Sequence, residues 1–144
     1  MLKKPTRAGQ KVMSADFSFV IGDTMVNAAG VADAFASVAA HVFDVINLPV
    51  GAIIVGGEVV TDTAFVGSTA YNVKVGDATS DVRYLGVTDK TLAARTALVP
   101  TGFVGTGENL RVTVTPTIAA ATAGALTVRI QYVQSGRAEE VLGN

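Results

Sequence analysis

Few side chains in this sequence could carry out chemistry, and its single histidine, His41, is accompanied by no cysteine and no tryptophan. A Ser-His-Asp triad or a histidine-ligated metal would have to be built around this one imidazole. Neither a Gly-x-Ser-x-Gly nor a His-Glu-x-x-His sequence is present, and these motifs would place a nucleophile or a metal beside a histidine. We therefore interpret His41 as an ordinary strand or loop histidine whose protonation near neutral pH could tune an interface.

Asp77, Thr79 and Asp81 place oxygen atoms at alternate positions, as a calcium-binding loop does. An EF-hand loop would carry further acidic ligands and end in a glutamate, and this segment does neither. A turn capped by aspartate side chains fits the residues better, with Arg83 paired to Asp77 or Asp81. We therefore predict no metal site here and no bound cofactor elsewhere in the chain.

Residues 102–107 read Gly-Phe-Val-Gly-Thr-Gly, a glycine-rich run of the kind that can cradle a phosphate group. The run lacks the Gly-Lys-Ser/Thr ending of a phosphate-binding loop, and the sequence after it predicts no helix whose N-terminus could hold an anion. We predict a mobile connection between two strands, with a tip that could contact a partner.

The basic cluster of the sequence lies at its beginning. Residues 1–11 are polar and include Pro5 and Gly9, which predicts an extended N-terminal arm. The arm carries Lys3, Lys4, Arg7 and Lys11. Our hypothesis is that these side chains bind an acidic partner surface; the alternative is a solvated terminus that keeps the protein soluble. No apolar segment of roughly 7–15 residues follows the arm, as a signal peptide would require, so we expect no export.

Composition indicates one domain and argues against two classes of partner. Of the 144 residues, 49% are hydrophobic and 16% are charged, and the mean hydropathy is +0.45. A net charge of −1 argues against nucleic-acid binding, which normally needs a clustered positive field. No apolar run approaches the roughly 18–20 residues of a membrane helix. The apolar surplus therefore either fills a dense core or covers a surface that another subunit buries.

Short runs rich in valine, isoleucine and threonine show a period of two, which predicts strands with one buried face. The predicted strands span 15–21, 52–65 with a bulge at Gly56-Gly57, 70–75, 81–87, 95–99, 110–115 ended by Pro116, and 126–132. With one more strand before residue 50 and no set of amphipathic helices, the pattern predicts an all-β, single-domain, jelly-roll-like β-sandwich over residues 12–134. The tail 135–144 leaves the pattern, and we expect it to be exposed.

Residues 28–45 fit two interpretations. The segment is rich in alanine and its apolar residues recur at spacings of three or four, which favours a helix. These apolar residues are Val31, Phe35, Val38, Val42 and Ile46. Residues 42–48, however, are dense in β-branched and aromatic side chains and run into a Pro-Val-Gly turn, which favours a strand. We predict a loop or short helical turn followed by a strand over 37–48.

Several longer phrases of the sequence are distinctive together. They are LPVGAIIVGG at 48–57, VTDTAF at 60–65, VGDATSDVRYL at 75–85, TAGALTV at 122–128, YV at 132–133 and GRA at 136–138. In these phrases the chain resembles small head proteins of tailed bacteriophages, the capsid decoration or cement proteins. The resemblance covers roughly residues 46–138 and includes no catalytic signature.

The resemblance implies a jelly-roll β-sandwich that clusters, often as trimers, on the outer surface of a phage head and bridges neighbouring major capsid subunits. The expected partners are therefore the major capsid protein and further copies of this chain, with no nucleic acid and no membrane. The expected location is the virion, after assembly in the host cytoplasm, and we expect no enzymatic activity. Two alternatives stay open, a tail-, neck- or fibre-associated phage structural protein and a carbohydrate- or receptor-binding module displayed on a particle.

Overall fold

The computed structural model describes residues 12–135, and ten β-strands form the regular structure of this part of the chain. The strands are β1 (Met13–Val20), β2 (Thr24–Val26), β3 (Ala32–Ala34), β4 (His41–Ile46), β5 (Ala52–Val66), β6 (Ala70–Gly76), β7 (Leu85–Asp89), β8 (Arg95–Ala97), β9 (Leu110–Thr117) and β10 (Ala123–Gln134). The described residues include no helix long and apolar enough to cross a membrane.

The strands form two four-stranded antiparallel sheets and a separate hairpin. Sheet 1 has the order β1-β10-β5-β8, sheet 2 has the order β4-β9-β6-β7, and β2 pairs with β3. The two sheets contain eight strands, β1 and β4 to β10. In chain order, the first of these eight pairs with the last (β1 with β10) and the second with the second-last (β4 with β9). The third likewise pairs with the third-last (β5 with β8), and the middle two (β6 and β7) pair with each other. This nested pairing is a jelly roll, so the predicted fold class is confirmed.

Alternation of apolar and polar residues places one face of each central strand in the core. In β6, Tyr71, Val73 and Val75 are fully buried, while Asn72 and Lys74 on the opposite face keep partial exposure. The inward faces of β9 and β10 are buried in the same way. The buried faces of both sheets meet in one hydrophobic core, as the period of two predicts.

The longest strand is β5, and the prediction of one long strand over this stretch is confirmed. It has 15 residues and pairs with β10 along its length. The register between the two strands shifts between Ile54 and Gly56, so Val55 is the extra residue of a β-bulge. The bulge therefore lies one residue before the predicted Gly56-Gly57 position.

Between residues 28 and 45 the structure confirms a strand within the predicted range 37–48 and contradicts the helix. A β2–β3 hairpin replaces the helix, and β4 is shorter than the predicted strand 37–48. The Asn27 side chain accepts hydrogen bonds from two backbone amides of the hairpin turn, at 2.9 and 3.1 Å, and so stabilises this turn. Val31 is 60% exposed and Val38 is 49% exposed, so the helical spacing of the apolar residues marks no buried face.

Pro116 does not end its strand, contrary to the prediction. It lies inside β9, opposite Tyr71 of β6. The backbone amide and carbonyl of Tyr71 bond to residues 89–90 on the other side of β6, so this position requires no hydrogen bond from Pro116. The strand on the other side, β4, pairs with β9 only as far as Val114. The missing N–H of the proline is therefore tolerated within the sheet.

Two other predicted strands are shorter than the sequence indicated. The strand predicted over 81–87 begins only at Leu85, because Asp77 holds the preceding residues in a turn. Its carboxylate accepts hydrogen bonds from the backbone amides of Thr79 and Ser80, at 2.9 and 2.8 Å. The strand predicted over 95–99 contains three residues and forms an edge of sheet 1.

Five aromatic rings link the two sheets inside the sandwich. Phe35, from the connection between β3 and β4, stacks between Phe19 of sheet 1 and Phe43 of sheet 2, with ring centroids 4.0 and 4.2 Å apart. Phe65 stacks on Tyr71 at 3.8 Å, and the Tyr71 hydroxyl donates a hydrogen bond of 2.9 Å to the Phe35 carbonyl. Burial raises the pKa of the Tyr71 hydroxyl far above its ordinary value. We call these five residues the aromatic cluster.

Lys90, directly after β7, is an unusual part of the interior because it is only 1% exposed. Its ammonium group donates a hydrogen bond of 2.6 Å to the Thr96 hydroxyl, a neutral partner. Burial lowers the pKa of Lys90, and the nearby charge of Asp89 only partly opposes this shift. The charged form of Lys90 therefore destabilises the fold.

We predict that Lys90→Met increases the free energy of unfolding at neutral pH by about 1–2 kcal/mol, because methionine fills similar space without a desolvated charge. In the wild type, stability should rise as the pH increases from the folded-state pKa of Lys90 toward its ordinary value of 10.5. The variant should lose this rise. Thermal unfolding at neutral pH measures the gain in stability, and thermal unfolding across the alkaline range measures the pH dependence. Lys90→Ala, which leaves a cavity, should instead destabilise the protein. A methionine variant less stable than the wild type would contradict the interpretation.

Candidate interaction surfaces

The four basic residues proposed to bind a partner lie outside the described residues. These are Lys3, Lys4, Arg7 and Lys11. The predicted arm 1–11 and all but the first residue of the predicted tail 135–144 lie outside them as well. Ser135 is exposed, and its backbone amide donates a 2.7 Å hydrogen bond to the Gly51 carbonyl. The hypothesis about the arm therefore stays a prediction.

His41 fastens the β2–β3 hairpin to sheet 2. Its Nδ1 lies 2.5 Å from a carboxylate oxygen of Asp33, and its Nε2 lies 3.0 Å from the Ser37 carbonyl oxygen. Burial alone would raise the pKa of Asp33, but hydrogen bonds from His41, Asn27 and Ala34 outweigh it and lower that pKa. Both partners of the ring are acceptors, so only the doubly protonated imidazole can donate to both.

The surroundings of His41 are a shallow recess with few polar side chains. A surface recess of about 400 Å³ adjoins the ring and is lined by Asn27, Ala28, Ala29, Asp33, Ala40, His41, Val42 and Arg111. This lining offers no hydroxyl or thiol nucleophile, and Arg111 is paired with Asp44 at 2.6 Å. Within residues 12–135, no group of three histidine, cysteine or acidic side chains could hold a metal ion. The arrangement thus links two elements of the fold.

Asp77 caps its turn as the sequence indicated. Besides the two backbone amides, it accepts hydrogen bonds from the Thr79 hydroxyl at 2.7 Å and from the Arg83 guanidinium. Burial would raise the pKa of Asp77, but these hydrogen bonds outweigh it and hold the pKa below its ordinary value. Asp81 pairs instead with Lys74. Because both carboxylates already have protein partners, the segment provides no open cation site.

The glycine-rich run 102–107 is attached to its surroundings, which differs from the mobile connection that we predicted. Gly105 accepts a 2.7 Å hydrogen bond from the Gly51 amide and donates one of 2.8 Å to the Ala52 carbonyl. The Arg83 guanidinium carbon lies 3.6 Å from the centroid of the Phe103 ring, a cation–π contact. The run is therefore fixed to both β5 and the turn of Asp77.

The outer face of sheet 1 carries charges of alternating sign across its four strands. Asp16 of β1 lies opposite Arg129 of β10, which lies opposite Glu58 of β5. Arg95 of β8 donates hydrogen bonds of 2.6 and 2.9 Å to Glu58. The hydrogen bonds from Arg95 hold the pKa of Glu58 below its ordinary value. This face is polar and its charges are largely paired within the chain.

The connections at the two ends of the sandwich differ in charge. At one end, where β1, β5, β7 and β9 finish, lie segments 21–23, 35–40, 66–69, 91–94 and 118–122, which carry one charged residue, Asp23. We call these segments the apolar end. At the opposite end lie segments 47–51, 77–84 and 98–109, which carry Asp77, Asp81, Arg83 and Glu108. We call these segments the charged end.

Aliphatic side chains project from both ends. Those of the apolar end are Val38, Val66, Leu92 and Ile118, and those of the charged end are Val50, Val82, Val99 and Val104. Ile118 is 79% exposed and Leu92 is 76% exposed. These side chains were not predicted from the sequence; the uncharged run 117–124 was the available signal.

Comparison with solved structures shows where this fold occurs elsewhere. The chain is similar to one from the capsid asymmetric unit of cyanophage Pam1, with 23% identity, a TM-score of 0.63 and 93% of both chains covered. It is similar to one from the capsid of Ralstonia phage GP4, with 15% identity, a TM-score of 0.58, and 93% of this chain and 90% of that chain covered. It is also similar to a chain from the acidic stable capsid structure of Helicobacter pylori bacteriophage KHP30, with 15% identity, a TM-score of 0.54, and 84% of this chain and 93% of that chain covered. No family model and no curated protein matches the chain.

We predict that Asp77→Asn lowers the free energy of unfolding at neutral pH by about 2 kcal/mol, because it leaves the Arg83 guanidinium without its carboxylate. The pKa of Asp77 is depressed below its ordinary 3.8, so its contribution is present above that value and is lost as the pH falls through the folded-state pKa. The difference between variant and wild type should therefore shrink in acid, as measured by thermal unfolding.

Asp81→Asn is the matched control for this comparison. The Asp81 side chain is 52% exposed, and an exposed ion pair contributes about 0–1 kcal/mol. The control should therefore unfold close to the wild type at every pH. An Asp77 variant whose deficit is as large in acid as at neutral pH would contradict the role assigned to its carboxylate.

Proposed function

We propose that this protein is a structural component of a bacteriophage particle that decorates and stabilises the capsid by non-covalent bridging of major capsid subunits. The observation that carries the proposal is the jelly-roll fold, which matches chains from three phage capsid structures over 84–93% of this chain. The phrases that resemble decoration proteins support the same role. In this proposal the protein binds the outer surface of the head, with the major capsid protein and further copies of itself, as a trimer, as partners.

The described surface suits a protein that works by contact. Exposed aliphatic side chains lie at both ends of the sandwich, where a protein partner could bury them. Paired charges cover the outer face of sheet 1, which keeps the free protein hydrated. Many copies on one particle, each bound weakly to several subunits, would together hold the shell through multivalency.

The N-terminal arm has a specific part in this proposal. Lys3, Lys4, Arg7 and Lys11 would bind an acidic patch of the capsid surface. Electrostatic contacts of this kind are screened by salt and speed the first encounter between partners. The arm would therefore tether the sandwich while its apolar surfaces bind.

A particle-binding experiment tests both parts of the proposal. Purified protein is added to phage particles that lack it, the particles are sedimented, and the bound protein is counted. We expect saturable binding and, after binding, release of DNA only at a higher temperature. Deletion of residues 1–10 should weaken binding about tenfold at low salt, and the loss should shrink as salt is added.

The control retains the length of the arm and exchanges Lys3, Lys4 and Arg7, the basic residues that the deletion removes, for glutamine. It should bind as weakly as the deletion if charge is what the arm contributes. Failure of the full-length protein to bind would refute the decoration role. Full-strength binding by both arm variants would refute the role of the arm alone.

A further inference from the structure

The edge of β1 that faces away from β10 carries backbone groups without partners. Val20 marks the direction, because its amide donates to the Asp23 carboxylate at 2.9 Å and its carbonyl accepts from the Asp23 amide at 2.9 Å, within a turn and not to β10. Successive residues of a strand point their N–H and C=O groups to opposite edges, so Ser14, Asp16 and Ser18 present theirs on the same side as Val20. Within the described part of the chain, no strand or loop bonds to these six groups. We call this row of six groups the open edge.

The other three sheet edges are short, irregular or already bonded. β8 has only three residues, and β7 pairs with β6 through a register shift. Along β4, the Ala28 amide donates to the Val42 carbonyl at 2.7 Å. β1, in contrast, pairs all eight of its residues with β10 in an unbroken register and contains neither proline nor lysine. It therefore lacks the bulge, proline or lysine that commonly stops a sheet edge from pairing with another chain.

An extended strand is the partner that satisfies the open edge. Three donors and three acceptors recur at every second residue, about 7 Å apart, and a row of this spacing matches the backbone of another strand. Ser14, Asp16 and Ser18 are all exposed, so a strand can reach them. A second copy of this chain supplies the same row, and two such edges join antiparallel about a two-fold axis.

The side chains of β1 favour one register for this pairing. With the axis at Ala15, each Ser14 lies opposite Asp16 of the second copy on the outer face, where the serine hydroxyl can donate to the carboxylate. On the inner face, each Met13 lies opposite Phe17 of the second copy. Both side chains are half-buried in the single chain, and the pairing would bury more of each, with the sulfur against the aromatic ring. An axis at Asp16 would instead place two carboxylates directly opposite each other, which is destabilising.

The far end of β1 restricts the register further. The outward backbone groups of Val20 are already bonded to Asp23. An axis at Phe17 would bring Val20 into the pairing in place of a residue whose groups are free. The axis at Ala15 pairs residues 12–18 with the same residues of the second copy and leaves the turn after β1 intact.

We propose that two copies of this chain pair through the open edge of β1, antiparallel about a two-fold axis at Ala15. Sheet 1 of one copy then continues into sheet 1 of the other, and the four strands of each form one sheet. The inference goes beyond the proposed function, because this pairing requires no capsid and is independent of any three-fold contact between copies.

Single-cysteine variants of the full chain test the pairing, because the sequence contains no cysteine. At the axis, the two Ala15 residues form a pair without hydrogen bonds to each other, and the Cα atoms of such antiparallel pairs lie about 4.5 Å apart. A disulfide fits that distance. Under mild oxidation, Ala15→Cys should therefore give a species of twice the 14.7 kDa chain mass on a non-reducing gel.

Two control variants make this result specific. Val50→Cys lies at the charged end, where the valine is 68% exposed, and it reports cross-linking by random collision. Ala15→Cys should cross-link at least about tenfold faster, because pairing raises the effective concentration of the thiols. Asp16→Cys tests the register, since an axis at Ala15 leaves its two thiols too far apart for a disulfide. Cross-linking of Ala15→Cys no faster than that of Val50→Cys, or cross-linking of Asp16→Cys in its place, would overturn the proposal.

Asp16→Pro tests the backbone hydrogen bonds. The Asp16 amide faces the open edge and not β10, so a proline is compatible with the single chain but removes one donor on each side of the axis. It should raise the dissociation constant of the pair about a hundredfold, measured by light scattering over a dilution series. Asp16→Asn keeps the amide and should keep the wild-type mass. A proline variant that unfolds near the wild-type temperature and still pairs would contradict the proposal; if the proline prevents folding, the cysteine variants decide.

The same dilution series gives the mass of the wild type, which should reach an even number of 14.7 kDa chains. A mass of one or three chains at every concentration would overturn the pairing. Particle binding is measured separately. A chain that binds particles without pairing refutes only the pairing, and a pair that binds no particles refutes only the decoration role.

Discussion

The ring of Phe35, placed between Phe19 and Phe43, is the contact on which the arrangement of the molecule depends. It joins sheet 1 to sheet 2 through two stackings at 4.0 and 4.2 Å, and truncation of a buried phenylalanine to alanine costs about 3–5 kcal/mol. The packing around the aromatic cluster leaves no spare room, since a Cβ atom on Gly124 would lie 2.2 Å from the Phe65 ring. The connections that pass over this cluster are therefore held in place.

This constraint determines which surfaces the protein can use. Above the aromatic cluster, the apolar end presents loops that carry one charged residue, Asp23, while the charged end is held by Asp77, Arg83 and Phe103 through an ion pair and a cation–π contact. His41 and Asp33 attach the hairpin to the side of sheet 2. Each of these polar groups has a partner inside the chain. The exposed aliphatic side chains at the two ends are therefore the surfaces that we propose for binding.

The sequence predicted the strands whose side chains alternate strictly, because burial of one face is a local pattern. Tyr71, Val73 and Val75 in β6 are an example. It failed over residues 28–40, where Phe35 is buried by distant rings and Val31 and Val38 are exposed. The nested strand order also depends on pairings between residues far apart in the chain. The exposure of Ile118 arises from its turn geometry, which no periodicity encodes. Asp77 was one of the two partners predicted for Arg83, and the structure shows this pair.

The central claim is that the protein decorates a phage head in many copies. Quantitative mass spectrometry of purified virions, with the major capsid protein as the internal standard, tests this claim most directly. The account predicts hundreds of copies, near one for each major capsid subunit. A few copies per particle would place the protein in the tail or neck instead, and absence from the virion would contradict a structural role in the particle.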